Sequence, residues 1–198
     1  MTVVLFMRKE TRARWRRPAT SARAFRSQQH APPDPMPSDT IEIYTGGAAD
    51  VRKKNMPPPP AGYGYAAYEG YPGIFWKLRF EGAGQIVAMQ TTNVKTTTEN
   101  LAELVAFTRA LQWAQSFYYA TGRPICIRYT SEYAARIATG AWKARKHKAM
   151  AAEAQRAWAS LKRSNGGRVW MRHTPRHDLA HRLAGQGKAG AWVYRENT

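Results

Sequence analysis

Two kinds of hydrophobic periodicity along residues 39–187 predict an alternation of strands and helices. Residues 41–45 alternate apolar and polar side chains, which is the period of a half-buried strand, and they run directly into Gly46 and Gly47. Glycines at this point favour unusual backbone angles or a close approach of another backbone. Further strands are predicted from near Tyr63, at residues 85–90, at residues 124–129 and at residues 168–172.

The longest predicted helix begins between Thr98 and Asn100 and ends at Tyr119 or Ala120. Its apolar side chains recur every three or four residues, and its start has capping-box spacings. Gly122 is suited to end it. Two more helices are predicted, one capped by Ser131 and one over the alanine-rich residues 149–161.

An aromatic-rich stretch, residues 65–80, separates the second and third predicted strands. It is expected either to lengthen a hairpin or to form an added contact surface, and the simpler interpretation is that its rings cover an edge of the sheet. The rings are Tyr65, Tyr68, Tyr71, Phe75, Trp76 and Phe80.

Composition limits the class of protein. A chain of 198 residues with 43% hydrophobic content can bury one good core and is too short for two full domains. No run approaches the roughly 20 apolar residues that a membrane span requires. The single cysteine, Cys126, lies in an apolar run and is interpreted as a small buried hydrophobe in a reducing compartment. The net charge of +18 indicates a polyanionic partner, nucleic acid before membrane.

Residues 1–38 form a basic arm that closes in a proline-rich linker. An arginine-rich, acid-poor N-terminus is typical of a mitochondrial transit peptide, and the alternative is a disordered basic tail that coats RNA. The two readings are compatible if the arm is retained after import. Its candidate nucleic-acid contacts are Arg8, Arg12, Arg14, Arg16 and Arg17.

Other basic positions are candidate nucleic-acid contacts because cations interleaved with an aromatic ring suit both phosphate contact and base stacking. They lie in the loop after the first strand, in a tryptophan-containing segment, in the turn before the last predicted strand and beyond that strand. These candidates are Lys53, Lys54, Trp142, Lys143, Arg145, Lys146, Lys148, Lys162, Arg163, His173 and Arg176.

Five stretches, taken in order, resemble the ribonuclease H family over residues 39–187. They are Tyr44-Thr45-Gly46-Gly47-Ala48, Ala61-Gly62-Tyr63-Gly64, Asn100-Leu101-Ala102-Glu103-Leu104, Tyr129-Thr130-Ser131-Glu132-Tyr133, and residues 169–173 leading to Ala180-His181-Arg182-Leu183-Ala184. The resemblance implies an α/β domain with a mixed five-stranded sheet, three antiparallel strands then two parallel ones, flanked by helices. The basic arm precedes this domain, and residues 188–198 are expected to be a tail.

The resemblance also implies that most of the family's metal ligands are lost. Family members hold two Mg²⁺ ions with carboxylates, which clamp the attacking water and the leaving oxygen of a phosphodiester. The carboxylate positions fall on Gly46, Thr130 and His181, and only Glu103 keeps the family residue. We therefore expect no catalysis, no bound metal and no cofactor.

Two further features follow from the family pattern. The segment 142–148 lies where some ribonuclease H proteins carry a basic, tryptophan-containing protrusion that grips the hybrid, and a solvated cationic face is the alternative. His173 matches a histidine that assists product release.

His177, Asp178 and His181 have helical spacings that would suit a transition metal, although phosphate contact or simple exposure is the commoner role of such residues.

These observations favour a non-catalytic RNA-binding component of a ribonucleoprotein, specifically the mitochondrial ribosome in the matrix. Its expected partners are rRNA and neighbouring ribosomal proteins, with no small-molecule substrate. One alternative is an active hybrid endonuclease that uses Asp50, Glu103, Asp178 or histidines as substitute ligands. The other is a free regulator that shields RNA–DNA hybrids, and the alternative locations are cytoplasm and nucleus.

Overall fold

A computed structural model describes residues 36–50, 59–71, 75–86 and 98–197. The predicted contacts in the basic arm, together with Lys53 and Lys54, lie outside these residues. The elements in chain order are β1 Ile41–Ala49, β2 Ala61–Tyr71, β3 Phe75–Ile86, α1 Glu99–Thr121, β4 Ile125–Tyr129, α2 Glu132–Ala138, α3 Lys148–Ser164, β5 Val169–His173, α4 Asp178–Lys188 and β6 Val193–Glu196. No helix in the described ranges is long and apolar enough to cross a membrane.

The sheet is mixed and has the strand order β5-β4-β1-β2-β3-β6. β2 pairs antiparallel with β1 and β3, whereas β4 pairs parallel with β1 and β5. The predicted order of three antiparallel strands and two parallel strands is confirmed. The expected count of five is one too few, because part of the expected tail, β6, pairs antiparallel with β3.

The third strand is not where the hydrophobic pattern placed it. Residues 85–90 were predicted, but β3 spans Phe75–Ile86, so the aromatic-rich stretch lengthens the β2–β3 hairpin. The register shifts where Ala67 pairs with Phe80 and Tyr68 pairs with Leu78. This bulge at Arg79 sends Leu78 and Phe80 to opposite faces of the sheet, since they belong to different apolar clusters. The alternation that identifies a strand is therefore broken inside β3.

The predictions for the helices after β3 are confirmed. The Thr98 hydroxyl accepts the Leu101 N–H at 3.2 Å to cap α1, and Gly122 ends the helix with a φ of 66°. Ser131 caps α2 through the Ala134 N–H. α1 and α3 cover one face of the sheet, and the main core forms between them and the strands.

α4 covers β1, β2 and β3 on the opposite face. It approaches the sheet closely because β2 carries glycines beneath it. A Cβ atom on Gly62 would lie 2.1 Å from the backbone nitrogen of Lys188, and one on Gly64 would lie 2.4 Å from the backbone nitrogen of Ala184. Any larger residue at either position would push the helix away.

Candidate nucleic-acid interface

The four positions that the resemblance assigns to the family's metal ligands lie together at one edge of the sheet, beside the end of β4. Gly46 lies in β1, and Thr130 follows β4, which is the parallel neighbour of β1. The Thr130 hydroxyl oxygen is 3.4 Å from Oε1 and 3.5 Å from Oε2 of Glu103 in the first turns of α1. A Cβ atom on Gly46 would lie 3.2 Å from the backbone nitrogen of His181. The fold therefore brings the four positions together.

Glu103 is the one carboxylate among these four positions. Its side chain is buried, with 8% of its surface exposed. The pKa of Glu103 is raised to about 7, mainly by burial and to a smaller extent by the nearby charge of Glu99, while hydrogen bonds from the Gly47 N–H and from Thr130 oppose the shift. Near neutral pH the group is thus divided between its charged and neutral forms.

These side chains do not fit a pair of Mg²⁺ ions, which prefer several oxygen ligands and demand near-octahedral geometry. Gly46 offers no side-chain donor, and Thr130 offers a neutral hydroxyl. His181 offers an imidazole nitrogen, and its pKa is lowered by burial and by Arg176. In the part of the chain that the structure describes, no group of three His, Cys, Asp or Glu residues could hold a metal ion.

Two of the proposed substitute ligands, Asp50 and His177, make other contacts. Asp50 pairs with Lys188 at 2.7 Å, and Lys188 lies seven residues beyond His181 in α4, about 10 Å along the helix axis. The His177 ring stacks on Tyr44 with 4.0 Å between centroids, and its Nδ1 accepts the Ala180 N–H as the cap of α4. The imidazole of His177 therefore has a structural role.

A groove of about 760 Å³ lies next to this edge. The N-terminus of α1 forms one wall, α2 forms another, and the loop of residues 139–147 closes it. Four of the predicted nucleic-acid contacts meet here: Trp142, Lys143, Arg145 and Lys146. We call this surface the basic groove.

The indole of Trp142 packs against Arg136, although 40% of the surface of Trp142 stays exposed. The guanidinium carbon of Arg136 lies 4.6 Å from the ring centroid, and the backbone N–H of Trp142 donates to the Arg136 carbonyl at 3.0 Å. Arg136 is itself buried and pairs with Glu132 at 3.0 Å. The ring therefore has a fixed orientation and stays accessible from solvent.

The other predicted contacts are spread over the surface. Lys148 begins α3 beside the groove, whereas Lys162 and Arg163 lie in its last turn, about 21 Å away along the helix. His173 ends β5, and Arg176 is exposed just before α4, near His181. These residues do not line the basic groove.

Several residues of the groove were missed by the sequence analysis. Thr98, Asn100 and Tyr133 line it beside the predicted cations. The Ser131 cap and the four-residue spacing of Tyr133 and Ile137 could have placed both side chains on one face of α2. No local signal shows that the loop folds back against α1.

Comparison with solved protein structures identifies chains of similar fold. No protein family model matches the chain, and a search of curated proteins finds no match. Solved structures do match. Ribonuclease H1 from the halophilic archaeon Halobacterium salinarum NRC-1 has a TM-score of 0.50 and 24% identity, over 75% of this chain and 96% of that one. The N-terminal ribonuclease H domain of a Mycobacterium tuberculosis protein has a TM-score of 0.55 and 20% identity, over 77% and 95%.

A third match comes from a foamy viral protease-reverse transcriptase in complex with an RNA/DNA hybrid. Its TM-score is 0.56 and its identity 20%, over 76% of this chain and 20% of the viral chain. At these identities the likeness establishes architecture. With its mixed sheet, its helices on both faces and its converging family positions, the chain has the ribonuclease H-like fold.

Proposed function

We propose that this chain is a catalytically silent ribonuclease H-like protein that binds RNA or RNA–DNA hybrid as a structural component of a ribonucleoprotein. The observation that carries the proposal is the contrast at one edge of the sheet. A single carboxylate, Glu103, remains where the fold brings four family positions together, while the adjacent groove carries Lys143, Arg145 and Lys146.

The chemistry of the groove suits a phosphate backbone. Its three cations neutralise phosphates and release counterions, and Trp142 offers an exposed ring face to a base. The raised pKa of Glu103 lowers the negative charge beside this surface, which reduces repulsion of phosphate. The nucleic acid held by the viral structural neighbour is an RNA/DNA hybrid, and we extend that ligand class to this chain.

The test of catalytic silence is a cleavage assay. A labelled RNA–DNA hybrid is incubated with the full chain in Mg²⁺ or Mn²⁺, with Glu103→Gln as the matched control. We expect no cleavage above the control, because one carboxylate cannot clamp two metal ions. A metal-dependent rate abolished by Glu103→Gln would instead support the alternative of a working nuclease with substitute ligands.

Binding is tested by its dependence on salt. The logarithm of the association constant should fall against the logarithm of salt concentration by about 0.7 to 0.9 per phosphate neutralised. Comparing single-stranded RNA, duplex RNA and RNA–DNA hybrid would rank the ligands. A nearly flat salt response for all three would remove nucleic acid as the main partner.

We further propose the mitochondrial ribosome as the particle, with rRNA and ribosomal proteins as neighbours. The basis is the import-like composition of residues 1–38 and the high positive charge. Gradient sedimentation of mitochondrial extract tests it, and we expect the chain to migrate with a ribosomal subunit. A chain that never migrates with a large particle would favour the free hybrid-binding regulator.

A further inference from the structure

A second cleft, of about 490 Å³, opens at the other end of α1 between that helix and the edge of the sheet. Its walls are aromatic, formed by Tyr63, Tyr65, Phe80, Trp113, Trp192 and Tyr194. Trp192 and Tyr194 are exposed over 72% and 70% of their surfaces. Large rings exposed side by side are unusual on a soluble surface and mark contact sites. We call this surface the aromatic cleft.

The exposed rings have defined positions. A Cβ atom on Gly84 would lie 2.8 Å from the Trp192 ring, so the indole lies over the bare backbone of β3. Tyr194 packs edge-on against Phe80 with 4.7 Å between centroids. The cleft is therefore preorganised, and a ligand loses little entropy in ordering it.

The charge of the aromatic cleft differs from that of the whole chain. The charged residues in its described lining are Arg109 and Glu196, one of each sign, in a chain of net charge +18. Arg109 donates to Gln112 at 2.8 Å, and Gln112 in turn donates to Glu153 at 2.9 Å. This local balance disfavours a polyanion or an anionic membrane and favours a neutral, apolar ligand.

The backbone beside the cleft adds a second requirement. β6 is the last strand in the order of the described sheet, and only its β3 side is paired. Alternate N–H and C=O groups of an edge strand point outward, and an extended polypeptide can pair with them while its side chains enter neighbouring pockets. Nucleic acid has no comparable row of alternating donors and acceptors.

We propose that the aromatic cleft and the outer edge of β6 form a docking site for an extended segment of a partner protein. The segment adds a strand to β6 and places large apolar side chains at alternate positions against Trp192 and Tyr194. A second copy of this chain is the less suitable occupant, because two bodies of charge +18 repel one another. This site is independent of nucleic-acid binding at the basic groove.

The experiment uses a displayed library of ten-residue random peptides selected on the full chain. Enriched peptides are resynthesised, and their affinities are measured for the wild type, for Trp192→Ser/Tyr194→Ser and for Trp192→Phe/Tyr194→Phe. We expect an alternating apolar pattern, at least a tenfold loss in the serine variant and near-complete retention in the phenylalanine variant. N-methylation of the peptide backbone at alternate residues should cause a similar loss.

Two controls separate this site from the basic groove. Lys143→Ala/Arg145→Ala/Lys146→Ala should bind the selected peptides normally, and the serine variant should keep its circular dichroism spectrum. The proposal is overturned if no peptide with the alternating pattern is enriched, or if the serine variant binds the peptides as the wild type does. It is also overturned if the serine variant no longer binds single-stranded RNA, measured with oligouridylate. The same holds if the wild-type chain self-associates in solution and the serine variant does not, because a second copy would then be the occupant.

Discussion

The two ends of α1 support surfaces of opposite chemical character. Thr98 and Asn100 at its N-terminus line the basic groove with cations from the loop 139–147, whereas Trp113 and Phe117 in its second half line the aromatic cleft. Asn100 and Trp113 are thirteen residues apart, about 20 Å along the helix. One long helix, buried on one face, therefore fixes both surfaces while keeping them separate.

The difference shows how the high charge of the chain is distributed. The groove concentrates cations around an exposed ring, which is a surface for a polyanion. The cleft balances its charges and exposes two rings beside a strand edge that has no partner in the described sheet, and we propose that this surface binds protein. The proposed role, as a component held between nucleic acid and protein neighbours, would use both surfaces, and variants at either surface should therefore affect one partner only.

The largest expected effect on stability is at Glu103, on the groove side. Its pKa is raised from 4.5 to about 7, so the folded chain binds the proton more tightly than the unfolded chain. Proton binding at Glu103 therefore contributes fully to the free energy of unfolding below pH 4.5, and this contribution is lost as the pH rises to about 7. We expect Glu103→Gln to raise the free energy of unfolding at pH 8 by up to about 3 kcal/mol.

Chemical denaturation of both proteins between pH 4 and pH 8 measures this effect. Glu196→Gln, which changes an exposed carboxylate on the cleft side, is the control. If the difference between Glu103→Gln and wild type is the same at every pH, the buried carboxyl does not titrate in this range.

The next effect is on nucleic-acid affinity at the basic groove. Lys143→Ala/Arg145→Ala/Lys146→Ala removes three candidate phosphate contacts. Binding to single-stranded RNA at 0.1 M salt should weaken about 100-fold, and the salt slope should decrease by about 2. Fluorescence anisotropy over a salt series measures both quantities. Arg109→Ala at the aromatic cleft is the matched control, and an equal loss there would erase the distinction between the surfaces.

The difference between the two surfaces also explains what local sequence could predict. Caps and periodicity lie within a few residues of one another, so both ends of α1 and the start of α2 were located correctly. The cations of the groove could be predicted because they are interleaved with Trp142 within a few residues of sequence. β6 was missed because four residues carry too little pattern, and its pairing partner Phe80 lies far from Glu196 along the chain.

Two other features depend on long-range geometry. The bulge at Arg79 interrupts the strand period, which moved the predicted third strand toward residues 85–90. The pairing of buried Glu42 with Arg128, and the stacking of His177 on Tyr44, join elements whose proximity is set only by the assembled sheet. The family positions could be found by resemblance, whereas the hydrogen bonds of Glu103 with Gly47 and Thr130 could be found only in the structure.

A smaller effect is expected at Trp142. Stacking of a base on an aromatic ring contributes about 1 to 3 kcal/mol, so Trp142→Ala should weaken RNA binding roughly tenfold. Trp142→Phe keeps a stacking face and should lose less than threefold by the same reasoning. Because the ring is exposed over 40% of its surface, the midpoint of thermal unfolding should change little. Equal losses for alanine and phenylalanine would exclude stacking as the role of this ring.

The smallest effect on stability and on RNA affinity should come from Trp192→Ser/Tyr194→Ser at the aromatic cleft. Both rings are mostly exposed, so the free energy of unfolding should fall by less than about 1 kcal/mol. RNA affinity should stay within about twofold of wild type, because no cation is removed. The basic groove and the aromatic cleft are also far enough apart to act independently.

Independence is measured by a double-mutant cycle that combines this variant with Lys143→Ala/Arg145→Ala/Lys146→Ala. Groups separated by more than about 10 Å and sharing no partners are additive within about 0.5 kcal/mol. We therefore expect the combined variant to bind RNA as weakly as the groove variant alone. A coupling energy above about 1 kcal/mol would show that α1 transmits changes between its ends. In that case the two surfaces would have to be treated as one coupled site.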